Sequence, residues 1–257
     1  MSLIFRCCCI PLTTLTFAAT ANAGNEYSLS LGGGIAPRYQ GSNQYRGVIG
    51  PSFSAAFSNG FFISSTSGAG YRYTSPRGMF VSAAISYAGG RKDSRSFGAE
   101  GSDHLKGMGN VPGSVIAQWR AGVRDQEGVE LSVTIDAPIT HTSRGFAGHV
   151  DLAVPLLHAG KNEIVLTGTA HAATGRYMQT FYGVTDAQAA SSGFRPYSLT
   201  GGFHSASMSI AWTHAVSRHW SVLATAGTSR IFGRYGDSPI VQTRSNYFGS
   251  AGINYRF

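Results

Sequence analysis

Residues 246–257 read Asn-Tyr-Phe-Gly-Ser-Ala-Gly-Ile-Asn-Tyr-Arg-Phe, and they alternate to the last position. Tyr247, Gly249, Ala251, Ile253, Tyr255 and Phe257 share one parity. Asn246, Ser250, Asn254 and Arg256 share the other, with Phe248 and Gly252 among them. A period of two belongs to an extended strand whose faces meet different media.

The same pattern recurs upstream. Val129, Leu131, Val133, Ile135 and Ala137 oppose Glu130, Ser132, Thr134 and Asp136. Val115, Ala117, Trp119, Ala121 and Val123 oppose Gln118, Arg120 and Arg124. Asn59-Gly60 reads as a tight hairpin turn between strands around 50–58 and 61–73. From Val115 onward the connections alternate short (125–128, 158–162, 216–219) and long (138–145, 172–204, 233–245). Outer-membrane barrels place short turns in the periplasm and long loops outside. In lipid an open sheet edge leaves backbone groups without partners, so such a sheet closes on itself. The expected fold is therefore all-β, a closed antiparallel transmembrane β-barrel. Eleven alternating segments are visible, but a single-chain bacterial barrel has an even number. Twelve strands are expected, with one segment in 61–88 split in two; ten strands is the alternative. A soluble β-sandwich also alternates, but it gives no reason for the long/short loop rhythm or the aromatic ending.

The amino terminus suggests export. Arg6 precedes a mostly apolar stretch, Cys7 to Thr20, and Ala21-Asn22-Ala23 has the form of a cleavage site. Residues 1–23 are expected to be a signal peptide and 24–257 the barrel. Cys7, Cys8 and Cys9 are the chain's three cysteines, so the barrel has neither disulfide nor thiol chemistry. Charged residues make up 12% of the chain beside 34 Gly, 15 Phe and 12 Tyr, against roughly 25% charged in ordinary soluble domains. The formal charge is +8. With no basic run in the sequence, lipid and anionic lipopolysaccharide are expected partners and nucleic acid is not.

No chemistry-bearing motif is present. The eight histidines have no H-E-x-x-H spacing, and there is no G-x-S-x-G elbow. No residue is assigned a catalytic, cofactor-binding or metal-ligating role, and no cofactor is expected. A lipid hydrolase would need a Ser and a His together on the wall, and serines are too frequent to single one out. The charges on the polar faces read as ion pairs, with Arg120 or Arg124 facing Glu130 across the 125–128 turn. His149 and His171 fall on polar faces and read as lumen residues. In the long connection 172–204, residues 186–192 suit a helical turn capped by Thr185 or Asp186. Tyr177, Phe181, Tyr182, Phe194 and Tyr197 suit either a plug in the barrel mouth or a ligand site.

Several non-strand stretches resemble the MltA-interacting protein (MipA)/OmpV family of outer-membrane proteins. They are Pro37-Arg38-Tyr39-Gln40-Gly41-Ser42, Leu105-Lys106-Gly107-Met108-Gly109-Asn110, Tyr177 to Thr185 with Ala187-Gln188-Ala189 and Ser192-Gly193, and Asp237-Ser238-Pro239-Ile240-Val241. The Tyr255-Arg256-Phe257 ending is similar too. Asn110 departs from the more frequent Asp. The resemblance implies a non-enzymatic scaffold joining a lytic transglycosylase to a peptidoglycan synthase. Other members are immunogenic surface proteins, adhesins or stress-responsive porin-like barrels, which makes a narrow pore the second reading. No catalytic residue is carried over. The likeness of the last strand to outer-membrane closing strands implies recognition of Phe257 by the barrel-assembly machinery. One tension follows: loop parity puts 172–204 outside the cell, whereas a scaffold for wall enzymes must act in the periplasm.

Overall fold

The computed structural model describes residues 24–97 and 99–257; the expected signal peptide, 1–23, lies outside the described residues. Twelve strands close into one antiparallel barrel. They are β1 (Glu26–Pro37), β2 (Tyr45–Ala56), β3 (Phe61–Ser64), β4 (Gly68–Thr74) and β5 (Met79–Ala88). After a two-residue parallel ribbon, β6 (Arg91–Lys92) with β7 (Glu100–Gly101), come β8 (Ser114–Arg124), β9 (Glu130–Pro138) and β10 (Ala147–Ala159). Then follow β11 (Asn162–Ala173), β12 (Gly202–Ala215), β13 (Trp220–Ile231) and β14 (Ser245–Arg256). The opening stretch closes the circle, with β14 pairing β1 from Ser28 opposite Arg256 to Ile35 opposite Gly249.

The ten-strand alternative is thus wrong, and so is a single strand over 61–73. That segment folds back at Ser65–Ser67, with Ser64 opposite Gly68. Ser64 accepts from the backbone of Thr66 and Ser67 at 3.2 and 3.4 Å, which supplies the turn with its own partners. The second strand is also longer than its alternation indicated. It begins at Tyr45, and the interruption at Pro51 had hidden its first half.

The two faces separate as the sequence requires. Leu31, Ile85, Val133, Leu152 and Ile253 are exposed on the outside, while Ser132, Thr134, Ser205, Ser209 and Asn254 are buried inside. Aromatic pairs band the rim of short turns: Tyr27 with Phe57, Phe61 with Tyr71, and Trp220 with Tyr255 at 4.9 Å between centroids.

Candidate functional site

The lumen carries distinct polar and apolar structure at its two ends. At the short-turn end, Glu130 on β9 is 2% exposed and receives Arg120 at 2.6 Å and Arg124 at 2.7 Å, both from β8. Arg72 on β4 stacks on Phe80, its guanidinium carbon 3.8 Å from the ring centre. The expected pairing across the 125–128 turn is therefore made by both arginines. A carboxylate shared by two guanidiniums compensates a charge that burial alone would not tolerate.

At the long-loop end the connection after β11 enters the mouth as two helices, α1 (Gly175–Tyr182) and α2 (Asp186–Ser192). Tyr177, Met178, Phe181 and Tyr182 bury one side of α1 against Leu199, Ile231 and Tyr235. A second cluster joins Tyr39, Leu105, Met108, Val184 and Ile240. The capping residue of α2 is Thr185, whose side chain accepts from Gln188 N while Gln188 returns a bond to the Thr185 backbone. The helix at 175–182 was not foreseen. Its buried positions, i, i+1, i+4 and i+5, mark one helical face, and that spacing was the available signal.

The four stretches that carried the family resemblance meet in this plug. Tyr39 donates to Ile240 O at 2.7 Å. Tyr182 bonds Gln40, and Ser238 bonds Tyr182 O. Gln188 donates to Met108 O at 2.8 Å, and Ser191 to Gly107 O at 2.7 Å. Asn246 of β14 clamps the first stretch, accepting from Gly41 N and donating to Ser42 O, each at 2.7 Å. Arg144 fastens the rim by donating to Ala88 O, Gly89 O and Pro112 O at 2.9–3.2 Å. Burial raises the Tyr39 phenol above its ordinary range, with Arg91 and Ser42 partly opposing. Burial also lowers His104, which packs on Phe194 at 5.2 Å.

Beneath the plug lies a row of histidines. His149 and His171, cross-strand partners on β10 and β11, have ring centres 5.7 Å apart, and His171 to His204 is 6.1 Å. His149 meets Asp151 at 3.3 Å. The third, His204, lies near the start of β12 under Tyr177 and Tyr182. No group of three such residues among those described is arranged to hold a metal ion. Ser207 and His171 are 3.4 Å apart on the inner face, an approach that sequence could not single out.

The opposite rim carries a cleft of about 200 Å³ between the turns after β10 and β12. It is lined by Lys161, Arg218, Arg256, His158 and His219, with Glu163 as its acidic member.

A closed twelve-stranded sheet with an oily exterior and a polar, plugged lumen defines a bacterial outer-membrane β-barrel protein. The plug stretches specify it further. The chain belongs to the MltA-interacting protein MipA family, whose model matches residues 29–257. No curated protein sequence matches it. Among solved structures it is similar to the translocator domain of the autotransporter NalP from Neisseria meningitidis, at 10% identity and TM-score 0.42, covering 92% of this chain and 89% of that one. It is also similar to OprB of Pseudomonas putida, at 8% identity and TM-score 0.44, over 91% and 94%. For OmpT of Vibrio cholerae the values are 9% and 0.36, over 92% and 98%. At these scores the likenesses bear on no functional question.

Proposed function

We propose that the barrel spans the outer membrane with its apolar belt in hydrocarbon, and that it is a non-enzymatic interaction protein for cell-wall machinery. The observation that carries this is the helical plug that fills the long-loop mouth of the lumen. A barrel plugged at one mouth is poorly suited to transport, which leaves its rims as working surfaces. Loop parity puts the plug outside and the basic cleft in the periplasm. A lytic transglycosylase, the partner that the family description suggests, would meet the cleft of Lys161, Arg218 and Arg256 through acidic side chains. This removes the tension over the long loop, because the plug need not touch the partner. A peptidoglycan synthase as a second partner, and Phe257 as the handle for barrel assembly, belong to the same reading, as does export directed by residues 1–23.

The test is direct binding of the purified barrel to a purified lytic transglycosylase in detergent. Lys161→Glu with Arg218→Glu should weaken binding at least tenfold without changing the barrel's melting. Unchanged affinity would contradict the cleft as the docking surface. The pore reading is tested in planar bilayers, where the native chain should stay silent and steady ion-selective openings would favour a narrow pore.

A further inference from the structure

The β3–β4 hairpin is too short for the wall it stands in. β1 pairs all twelve residues of β2, but β3 pairs only Ser54–Ala56 on the other side. Phe53 is capped by Ser65, which donates its N–H to Phe53 O at 3.0 Å and accepts from Phe53 N at 3.1 Å. Above that point, among the described residues, β2 has a neighbouring strand on one side only. The backbone of Phe53 faces the hairpin, so by strand alternation that of Pro51, Ile49 and Gly47 faces the same open edge. No hydrogen bond from any described residue reaches those edge groups of Gly47 and Ile49. At ~3.4 Å per residue, Tyr45 to Ser52 leave roughly 27 Å of unpaired edge, and three strand spacings put β5 about 14 Å away.

This gap is framed on every side. The turn Ser65–Ser67 is its sill, and β2 and β5 are its jambs. Above, the connection between β5 and β8 crosses to the β1–β2 turn, where Gly101 N donates to Arg38 O at 2.9 Å and Ser102 Oγ to Gln44 Oε1 at 3.1 Å. Phe97 on the same connection is 94% exposed. Ile49 on the jamb is 75% exposed, against 50% for Leu29 and 54% for Leu31 on fully paired β1. The edge also discourages a further strand, because Pro51 offers no N–H there. Tyr45 and Tyr87 stand at the long-loop ends of β2 and β5, so the gap occupies the outer-leaflet part of the belt.

We propose that this gap is a lateral window between lumen and membrane, and that it takes the acyl chain of an outer-leaflet lipid. The inference rests on the membrane-spanning reading above. An apolar flank of Ile49 and Pro51 suits an acyl chain, and the bare backbone groups turn to water entering from the lumen.

The test uses a bimane label at single cysteines in the full chain carrying Cys7→Ser, Cys8→Ser and Cys9→Ser. The chain is reconstituted in phosphatidylcholine vesicles with brominated acyl chains, which quench on contact. Leu152→Cys labels the outside, Thr167→Cys the inner face far from the window, and Ser52→Cys the inner face beside it. Heat-modifiable gel mobility confirms folding of each, and Gly50→Cys replaces Ser52→Cys if that variant fails. The expected result is strong quenching at Leu152, little at Thr167, and at Ser52 at least threefold more than at Thr167. Quenching at Leu152 with Ser52 equal to Thr167 overturns the window and leaves the membrane reading intact; an unquenched Leu152 overturns both. Shielding of Ser52 together with a two-copy mass by light scattering would show a second chain in the gap, and it too overturns the proposal.

Discussion

Changing Glu130 to Gln should be the most costly single substitution in the lumen. The side chain keeps its size and loses its charge, and Arg120 and Arg124, now 2.6 and 2.7 Å from its oxygens, lose their counter-charge together. Arg72 stands close enough to feel the same carboxylate. Removing one member of a buried ion pair costs about 3–5 kcal/mol. Glu130 is 2% exposed, but the arginine side chains are 23–24% exposed. Lumen water therefore softens the penalty toward the lower end, about 3 kcal/mol. Arg124→Gln, which leaves Arg120 in place, should cost less than half of that. The assay is equilibrium urea unfolding of the barrel in lipid vesicles, followed by tryptophan emission. High salt should recover part of the Glu130→Gln loss by screening the three cations. A loss under about 1 kcal/mol, or one as large for Arg124→Gln, would refute a lattice centred on Glu130.

Three further outcomes follow from the plug. The Tyr39 phenol is raised above its ordinary value of 10.0, so the unfolded state gives up its proton first and plug stability is lost as pH rises above about 10. Tyr39→Phe should abolish that alkaline step, read by protease cleavage within 174–201, while costing about 1 kcal/mol for the bond to Ile240 O. His104 is lowered by burial, so the unfolded state takes up a proton first and the loop around Leu105 loosens as pH falls below about 6.5; His104→Phe should flatten this dependence in hydrogen exchange of residues 103–108. Gly107 has φ +86°, and an added Cβ would lie 2.4 Å from Ser191 O, so Gly107→Ala should detach α2 with at least tenfold faster amide exchange there and an unaltered barrel melt.

The wall was legible in the sequence because most wall strands keep lipid-type residues on one parity, which survives without knowledge of partners; bulges near Leu157 in β10 and His204 in β12 break it only at strand ends. The same regularity hid one hairpin. Phe61, Ile63, Ala69, Tyr71 and Tyr73 are all odd-numbered, and the three-residue turn at 65–67 preserves parity, so alternation runs through the reversal unbroken. Ser64 to Gly68 also lacks the Asn-Gly signal that marked residues 59–60. In the plug, Thr185 or Asp186 as a cap signalled α2, whereas the Thr174 side chain before α1 makes no capping bond and instead accepts from Phe146 N. The meeting of four distant stretches at Tyr39, Met108, Tyr182 and Ile240 is a long-range fact that local patterning does not encode. The unpaired edge of β2 is likewise a property of two strands being short, which no reading of β2 alone reveals.

Everything proposed for this barrel depends on alternate side chains of one closed sheet meeting hydrocarbon and water. A nitroxide scan along residues 246–257 in reconstituted vesicles measures it most directly, comparing collisions with oxygen, which concentrates in lipid, and with a water-soluble nickel chelate. A period-two oscillation is expected, with Gly249, Ala251 and Ile253 high in oxygen and Ser250, Gly252 and Asn254 low. A flat profile, or equal nickel access at both parities, would contradict it.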